Sequence, residues 1–454
     1  MLRALMLRLL CCLSVSLLLA VSMSRAQSPG PSGDPPVLPL DEAIRTALKD
    51  NRQLQSTLLD VAKSQQATAE LGASRYPRFS TAVLSGMTLN PMHFTIPEGA
   101  IGTIPGIGSL PAKNEDFSAA RRVTALIHAS AAQPLSQLYK IGLGLRASRI
   151  GEEFARENLR QKRQETAQQV RDAYYQIAQT QAQLASAETS LRYLTELGAL
   201  MERRLSEEAV LKSDLLSVRA KASQQRYQLA TLRDGIESQK EAFNRLLGRD
   251  IATAFSVEPL PLPDLEELDL PVARAKALEQ RPEIRKAKLQ LEKTELDIRR
   301  ERAEYLPDLS LQLTYLTFAN VNFAPQNMSS AGVLFEWQPF DWGQKRHKIE
   351  QLRSTARQAD LARTDAGQQV QIEVGAEYRK LAEARALLEA QTAEQEAERE
   401  KLRVLMRRYE EKAALTADVL QQQAALAQAD SQLSQALAGF WTARADFHRA
   451  LGEE

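Results

Sequence analysis

Gln338-Pro339-Phe340-Asp341-Trp342-Gly343 is the stretch that decides how this chain is read. Just upstream, Val333, Phe335 and Trp337 alternate with Leu334, Glu336 and Gln338, the period of a β-strand. Downstream, from Gly343 to Leu451, no proline interrupts a helical pattern. The same handover occurs earlier. Gln133-Pro134-Leu135-Ser136 follows an expected strand at about Ala120 to Ser130 and leads into a proline-free stretch from Leu138 to Leu247. One architecture is therefore written twice, and a long internal repeat is read before any single residue.

Other landmarks carry the duplication. Ala277-Leu278 and Pro307 match Ala47-Leu48 and Pro77 at a spacing of 230, with Arg281 standing where the first copy has Asn51. Tyr378, Asp418, Leu420 and Leu451-Gly452 match Tyr174, Asp214, Leu216 and Leu247-Gly248 at a spacing of 204. The expected organisation is a signal peptide over 1–26, a flexible segment over 27–39, a first repeat over 40–250, a linker over 251–271 and a second repeat over 272–452. Each repeat reads as helix, two strands and a long helical hairpin.

In the first repeat one helix is expected from Leu40 to about Arg75, stopped by Tyr76-Pro77. A strand follows from Phe79 to Leu89. Residues 90–118 hold Pro91, Pro97, Gly99, Gly102, Pro105, Gly106, Gly108 and Pro111, which predicts a long exposed loop. The hairpin turn is expected over 205–211. In the second repeat Leu309, Leu311, Leu313 and Tyr315 alternate with Ser310, Gln312 and Thr314, and a short turn is expected around Ala324-Pro325-Gln326-Asn327.

Composition narrows the function classes. The 454 residues carry a formal charge of +1, so no basic field marks a nucleic-acid binder. Arg3 and Arg8 precede an uncharged run from Leu9 to Val21, and Ser24-Arg25-Ala26 suits signal cleavage. Both cysteines, Cys11 and Cys12, lie in that run, outside a lipoprotein pattern. Disulfides and thiol chemistry are then absent from the mature chain. His93, His128, His347 and His448 are scattered, whereas zinc needs converging ligands. No phosphate-binding glycine loop occurs. No cofactor, metal or catalysis is expected.

Physics then suggests a channel. Two strands per copy cannot close a barrel, and an open sheet edge is not tolerated in lipid. If Leu309, Leu311, Leu313, Val333, Phe335 and Trp337 face lipid, other subunits must complete the wall. Leu194-Leu197-Met201-Leu205 and Leu426-Leu433-Leu437 form apolar stripes on otherwise polar helices, suited to lateral packing. The blander alternatives are an α+β protein whose sheet packs on its helices, and a coiled-coil spacer.

Over about residues 38–452 the chain resembles the TolC-like outer membrane efflux proteins. Pro339 to Gly343 looks like the family's strand-to-helix signature, and Pro134 to Gly142 like a variant of it. The resemblance implies a mixed α+β homotrimer. Each subunit gives four strands to a 12-stranded outer-membrane β-barrel, and a periplasmic α-helical tube continues it. The implied partners are outer-membrane lipid, a periplasmic adaptor and an inner-membrane RND or ABC pump. The implied function is passive export of small toxic solutes. The alternatives are a duct for type I protein secretion and, from another class, a periplasmic coiled-coil adaptor. By the same resemblance Asp418 belongs to a periplasmic constriction, while Tyr409 and Asp214 look like members of the links that hold it closed. The family's tip glycine is replaced here by Glu208 and Lys412, and a second acid by Gln421.

Overall fold

The computed structural model describes residues 36–87, 92–119, 123–208, 210–263, 269–319, 327–411 and 413–453. The expected signal peptide, both cysteines and the turn at 324–326 lie outside the described residues. In chain order the elements are β1 (Val37–Leu38), α1 (Leu40–Asp50), α2 (Arg52–Ala73), β2 (Arg78–Met87), β3 (Met92–Ile96), β4 (Gly102–Ile104), β5 (Gly108–Leu110), β6 (Glu115–Ala119), β7 (Val123–Pro134), α3 (Gln137–Ser206) and α4 (Lys212–Leu247). The second half continues with β8 (Ser256–Val257), α5 (Leu270–Gln280), α6 (Pro282–Ala303), β9 (Asp308–Ala319), β10 (Asn327–Glu336), α7 (Gln344–Glu410) and α8 (Thr416–Ala450).

The first expected helix is two. Asn51 takes an extended conformation between α1 and α2, and its side-chain oxygen accepts from Gln53 N at 2.9 Å and Leu54 N at 3.0 Å. An N-cap asparagine thus restarts the chain with no proline or glycine to announce the break.

Four strands form one antiparallel sheet in the order β10-β9-β7-β2. β7, expected to end near Ser130, continues to Pro134 because its last residues pair with β9, Pro134 opposite Ser310. Neither β2 nor β10 has a second strand neighbour among the described residues. The expected loop over 90–118 is instead an arm of paired strands. Met92–Ile96 pairs with Glu115–Ala119, and Gly102–Ile104 with Gly108–Leu110. Its glycines sit at positive φ (Gly99, Gly102, Gly106, Gly108), so they make turns and strand ends rather than irregular chain.

The helices are long because nothing breaks them: α3 has 70 residues and α7 has 67. At 1.5 Å per residue each spans roughly 100 Å. α2 and then α4 lie along α3, and α6 and then α8 lie between α3 and α7. Each shorter pair therefore stacks end to end beside an unbroken rod. Two of the buried clusters sit near these stacking points, one around Tyr174, Phe243 and Leu247, the other around Val374, Phe447 and Leu451.

The stacking points bring together landmarks that the sequence shows at different spacings. In the first copy Asn51 Nδ2 donates to Leu246 O at 2.7 Å, and Gly248 packs on the Asp50 carbonyl. In the second, Arg281 Nη1 donates to Ala450 O at 3.3 Å, and Gly452 packs on Gln280. Arg281 is buried and pairs with Glu283 at 2.9 Å and Glu373 at 2.8 Å. The exchange of asparagine for arginine is thus matched by two carboxylates, as a buried charge requires.

The flexible segment and the linker meet as well. Val37–Leu38 pairs in parallel with Ser256–Val257. Tyr174 Oη donates to Leu38 O and accepts from Glu258 N, both at 3.0 Å. Tyr174 therefore fastens both segments to the tube, a role its helical spacing does not reveal.

Candidate functional site

At the sheet, cross-strand register decides which residues share a face. Leu309 lies opposite Phe335, Leu311 opposite Val333, and Leu313 opposite Ala331. Across β7 and β2 that face continues with Ala131, Ala129 and Ile127, then Phe79 and Val83. Leu311, Leu313, Val333, Phe335 and Trp337 are exposed in the single subunit. The other face carries Ser80, Ser130, Thr314 and Ser330, which stand directly opposite one another across all four strands. Ser80 and Ser130 share a hydrogen bond of 2.7 Å, and the row lines a cavity of about 510 Å³. One apolar and one hydroxyl-bearing face is the pattern of a strand between lipid and a polar lumen. Ten paired residues tilted by about 45° stand roughly 24 Å tall, close to the apolar band of an outer membrane.

The two handovers from strand to helix are built differently. Pro134 lies at the end of an inner strand. Leu135 N donates to Leu309 O at 2.9 Å, and Ser136 Oγ accepts from Leu309 N and donates to Pro307 O, each at 2.8 Å. Lys140 reaches Glu304 at 3.0 Å and Asp308 at 2.9 Å. The turn after Pro339 is closed by its own residues. Trp342 and Gly343 both adopt left-handed backbone, with φ of 57° and 85°. Asp341 accepts from Gly343 N at 3.1 Å and Lys345 N at 2.9 Å, the latter closing the first turn of α7. Those N–H groups, Lys345's foremost, hold the Asp341 carboxyl below its ordinary range. Asp341 is the residue that fastens the motif, and its position two before the glycine was the available signal.

Trp337 has a partner in the first copy. Its indole N–H donates to Tyr305 O at 3.3 Å, and Gln133 Nε2 donates to Arg75 O at 2.9 Å. The acceptors, Tyr305 and Arg75, are related by the spacing of 230, and the donor Trp337 stands one residue before Gln338, the counterpart of Gln133 in the motif.

At the far end, the hairpin turns follow Ser206 and Glu410. Asp214 and Asp418 occupy the same place, the third residue of α4 and of α8. Asp418 is exposed and its carboxylate accepts from Leu415 N at 3.3 Å. An acid in a first helical turn faces unpaired N–H groups and the positive end of the helix dipole. Capping therefore accounts for the repeated position by itself. Tyr409 is buried with Leu197, Met201, Leu215, Val218 and Val419. The Arg204 guanidinium lies 5.0 Å from its ring centroid, and Thr416 Oγ1 donates to its hydroxyl at 3.5 Å. Tyr193 Oη donates to Met406 Sδ at 2.6 Å in the same cluster, and burial pushes its hydroxyl pKa up to about 12. The structure thus gathers Tyr409, Leu215 and Val419 in one place. Among the described residues no hydrogen bond joins Tyr409 to Asp214. Glu208, where a glycine was expected by resemblance, has φ of 56°. Lys412 lies outside the described residues.

No helix among the described residues is long and apolar enough to cross a membrane.

Solved structures share this arrangement. The outer-membrane channel OprN superposes with a TM-score of 0.72 at 19% identity, covering 91% of this chain and 90% of its own. A membrane protein from Pseudomonas aeruginosa gives 0.73 at 20% identity, with 91% and 90% covered. The outer membrane protein VceC from Vibrio cholerae gives 0.71 at 16%, with 91% and 96% covered. No curated relative matches the chain. The family model described as outer membrane efflux protein matches residues 43–249 and 273–453, one segment per repeat. The fold is that of one subunit of a trimeric outer-membrane β-barrel, four strands per subunit, continued by a periplasmic helical tube. The edges of β2 and β10 run in opposite directions, so neighbouring subunits can pair them antiparallel. With both repeats matched and the sheet, tube and handovers in place, the chain belongs to the outer membrane efflux protein family, as an outer-membrane efflux duct.

Proposed function

We propose that this duct is the exit stage of a tripartite pump that expels small toxic solutes. A periplasmic adaptor and an inner-membrane pump of the RND or ABC class would supply substrate and energy. The observation that carries the reading is the unbroken pair of helices α3 and α7, which join the sheet to hairpin tips roughly 100 Å away. Such rods give a passive conduit a periplasmic reach. The family match sets aside the periplasmic adaptor as an alternative.

In this reading Leu309, Leu311, Leu313, Val333, Phe335 and Trp337 meet lipid. Pro134, Pro339 and Gly343 mark the membrane boundary. Tyr409, Asp214 and Asp418 form the periplasmic closure. One carboxylate per subunit at Asp418 gives a ring of three charges and a modest preference for cations. Deleting the gene and measuring susceptibility to a panel of toxic solutes tests the export role. Increased susceptibility supports it, whereas loss of a secreted polypeptide with unchanged susceptibility refutes it. Single-channel recording of Asp418→Ala tests the closure: unchanged conductance and cation selectivity would remove Asp418 from it and leave only its capping role.

A further inference from the structure

The lumen-facing side of the sheet changes character toward its outer end. By the same register that aligns the hydroxyl row, Leu84 stands beside Leu126 and Phe318, and Leu316 stands between His128 and Met328. All of them share the face of Ser80, Ser130, Thr314 and Ser330. They lie beyond the hydroxyls toward Met87, away from the helices. Leu84 and Met328 are exposed in the single subunit. The inside of an outer-membrane barrel is ordinarily polar. Here its outer end carries an apolar collar, broken by His128.

The arm over 92–119 continues outward the β2–β7 hairpin that bears Leu84 and Leu126. Neither of its two sheets has a third strand among the described residues. A ribbon of two strands is marginally stable in water by itself, so this one needs a surface to pack on. Phe94 and Phe117 stack at 5.1 Å on one face of the stem, both exposed, while Thr95 Oγ1 donates to Asp116 on the other. The charges Glu98, Lys113, Glu115 and Asp116 flank the tip, and from Gly99 to Ala112 there is none. In that tip Ile101 and Ile107 are 75% and 77% exposed, and Ile104 and Leu110 are exposed as well. Apolar side chains gathered in this way mark a contact surface.

Position, charge and reach identify what covers it. β2 is an edge strand that can pair with β10 of a neighbouring subunit, so each arm rises at a subunit boundary. On a three-fold axis every residue meets its own copies, which suits an uncharged segment and repels a charged one. Three subunits of four strands, tilted by about 40°, enclose a radius of about 12 Å, and β3 alone spans about 16 Å. An arm can therefore cross from the wall to the axis. Lipid would cover an arm turned outward, yet it leaves the lumen-facing collar bare.

We propose that the arms of the three subunits cross the outer mouth of the barrel and pack on one another, with Ile101, Ile104 and Ile107 of each tip joined on the three-fold axis above the collar. The partner of this surface is two further copies of the same chain. Their contact covers the isoleucines and narrows the exit to the gaps between arms. A bulky solute leaves when the arms part. The contact requires the trimeric barrel and is independent of what the duct exports.

The test is oxidative crosslinking of the full-length trimer carrying Ile107→Cys, with wild type as the blank and His93→Cys, on the polar face of the stem, as the control. Ile107→Cys should give a disulfide-linked pair of subunits, since the bond needs Cβ atoms within about 4.5 Å. His93→Cys should give none. Ile101→Cys repeats the measurement if Ile107→Cys fails to assemble. Adding Ile104→Glu to Ile107→Cys should abolish the link by setting three carboxylates on the axis, in a trimer that still migrates as wild type on an unheated gel. Spin labels on Ile107→Cys give an independent distance. Joined tips hold them within about 15 Å, upright arms place them about 20 Å apart, and arms splayed over the outer leaflet about 50 Å apart. Absence of the crosslink with labels at about 20 Å or beyond overturns the proposal, and about 50 Å assigns the arms to lipid instead. Equal crosslinking of Ile107→Cys and His93→Cys, which reports random collision, overturns it too, as does a link that survives Ile104→Glu.

Discussion

Gly248→Ala should damage the tube more than any other glycine substitution in it. Gly248 ends α4 with φ of 80°, and a Cβ there would lie 2.1 Å from the Asp50 carbonyl oxygen and 2.6 Å from its carbon. The left-handed conformation alone costs an alanine about 1 kcal/mol. The larger cost comes from the backbone, which must retreat by roughly 1 Å to restore an ordinary contact. That movement is felt at Asn51, which caps α2 and donates to Leu246 O at 2.7 Å. Losing the cap costs about 1 kcal/mol, and an orphaned buried acceptor about 1–3 kcal/mol more. The total is about 3–5 kcal/mol, in the range reserved for a named structural fault. The assay is thermal unfolding of the detergent-solubilised protein followed by helical circular dichroism. Gly235→Ala is the control: it lies within α4 with nothing within 4 Å, and should be neutral or stabilising by about 0.5–1 kcal/mol. Gly452→Ala, whose nearest contacts are at 3.1 Å, should fall between. If Gly248→Ala unfolds with Gly235→Ala, the end-to-end junction does not bear on stability and the argument fails.

Glu208→Gly should raise the unfolding temperature slightly, since it relieves a positive φ worth about 1 kcal/mol; a decrease would mean that the carboxylate has an unrecognised partner. Asp341→Ala should free two backbone donors and loosen the start of α7, read as faster amide exchange at Gly343 and Lys345; unchanged exchange would refute the fastening role. Arg281→Ala should cost about 3–5 kcal/mol because Glu283 loses its cation and Glu373 keeps only Arg449, at 3.5 Å, and Glu373→Gln should recover part of that loss. Asp172 gives a pH signature. Its folded pKa, about 6, stands above the ordinary 3.8, so between those values the folded state binds more protons. Its contribution therefore falls as pH rises from about 4 to about 6. The difference in melting temperature between wild type and Asp172→Asn should follow that window, and a difference independent of pH would refute the assignment.

Much of the fold is legible because its signals are local. Leu309, Leu311 and Leu313 alternate within five residues, and the pairing register places them with Val333 and Phe335. The hairpin turns fall where the apolar spacing lapses. Two expectations failed for opposite reasons. The arm over 92–119 was hidden because glycine and proline, which suggest irregular chain, here serve turns between short strands. The break at Asn51 was hidden because a cap is made by one polar side chain and leaves no trace in periodicity. At the tips, Asp214 and Asp418 were found by their repeated position, yet their place in the first turn of each helix supplies a capping reason for it.

By itself, the sequence determined the duplication, the period change at each proline and the two unbroken rods. These follow from patterns that neighbouring residues impose on one another. Only the tertiary structure decided that landmarks spaced by 230 meet landmarks spaced by 204, Asn51 against Gly248 and Arg281 against Gly452. It also showed that the handover after Pro134 is sewn to Leu309 and Pro307, whereas the one after Pro339 closes on Asp341. Asp172 and Asp446, far apart in the chain, share Gln168 only because α3 and α8 lie side by side. Such contacts depend on which surfaces are brought together, and no local period encodes that.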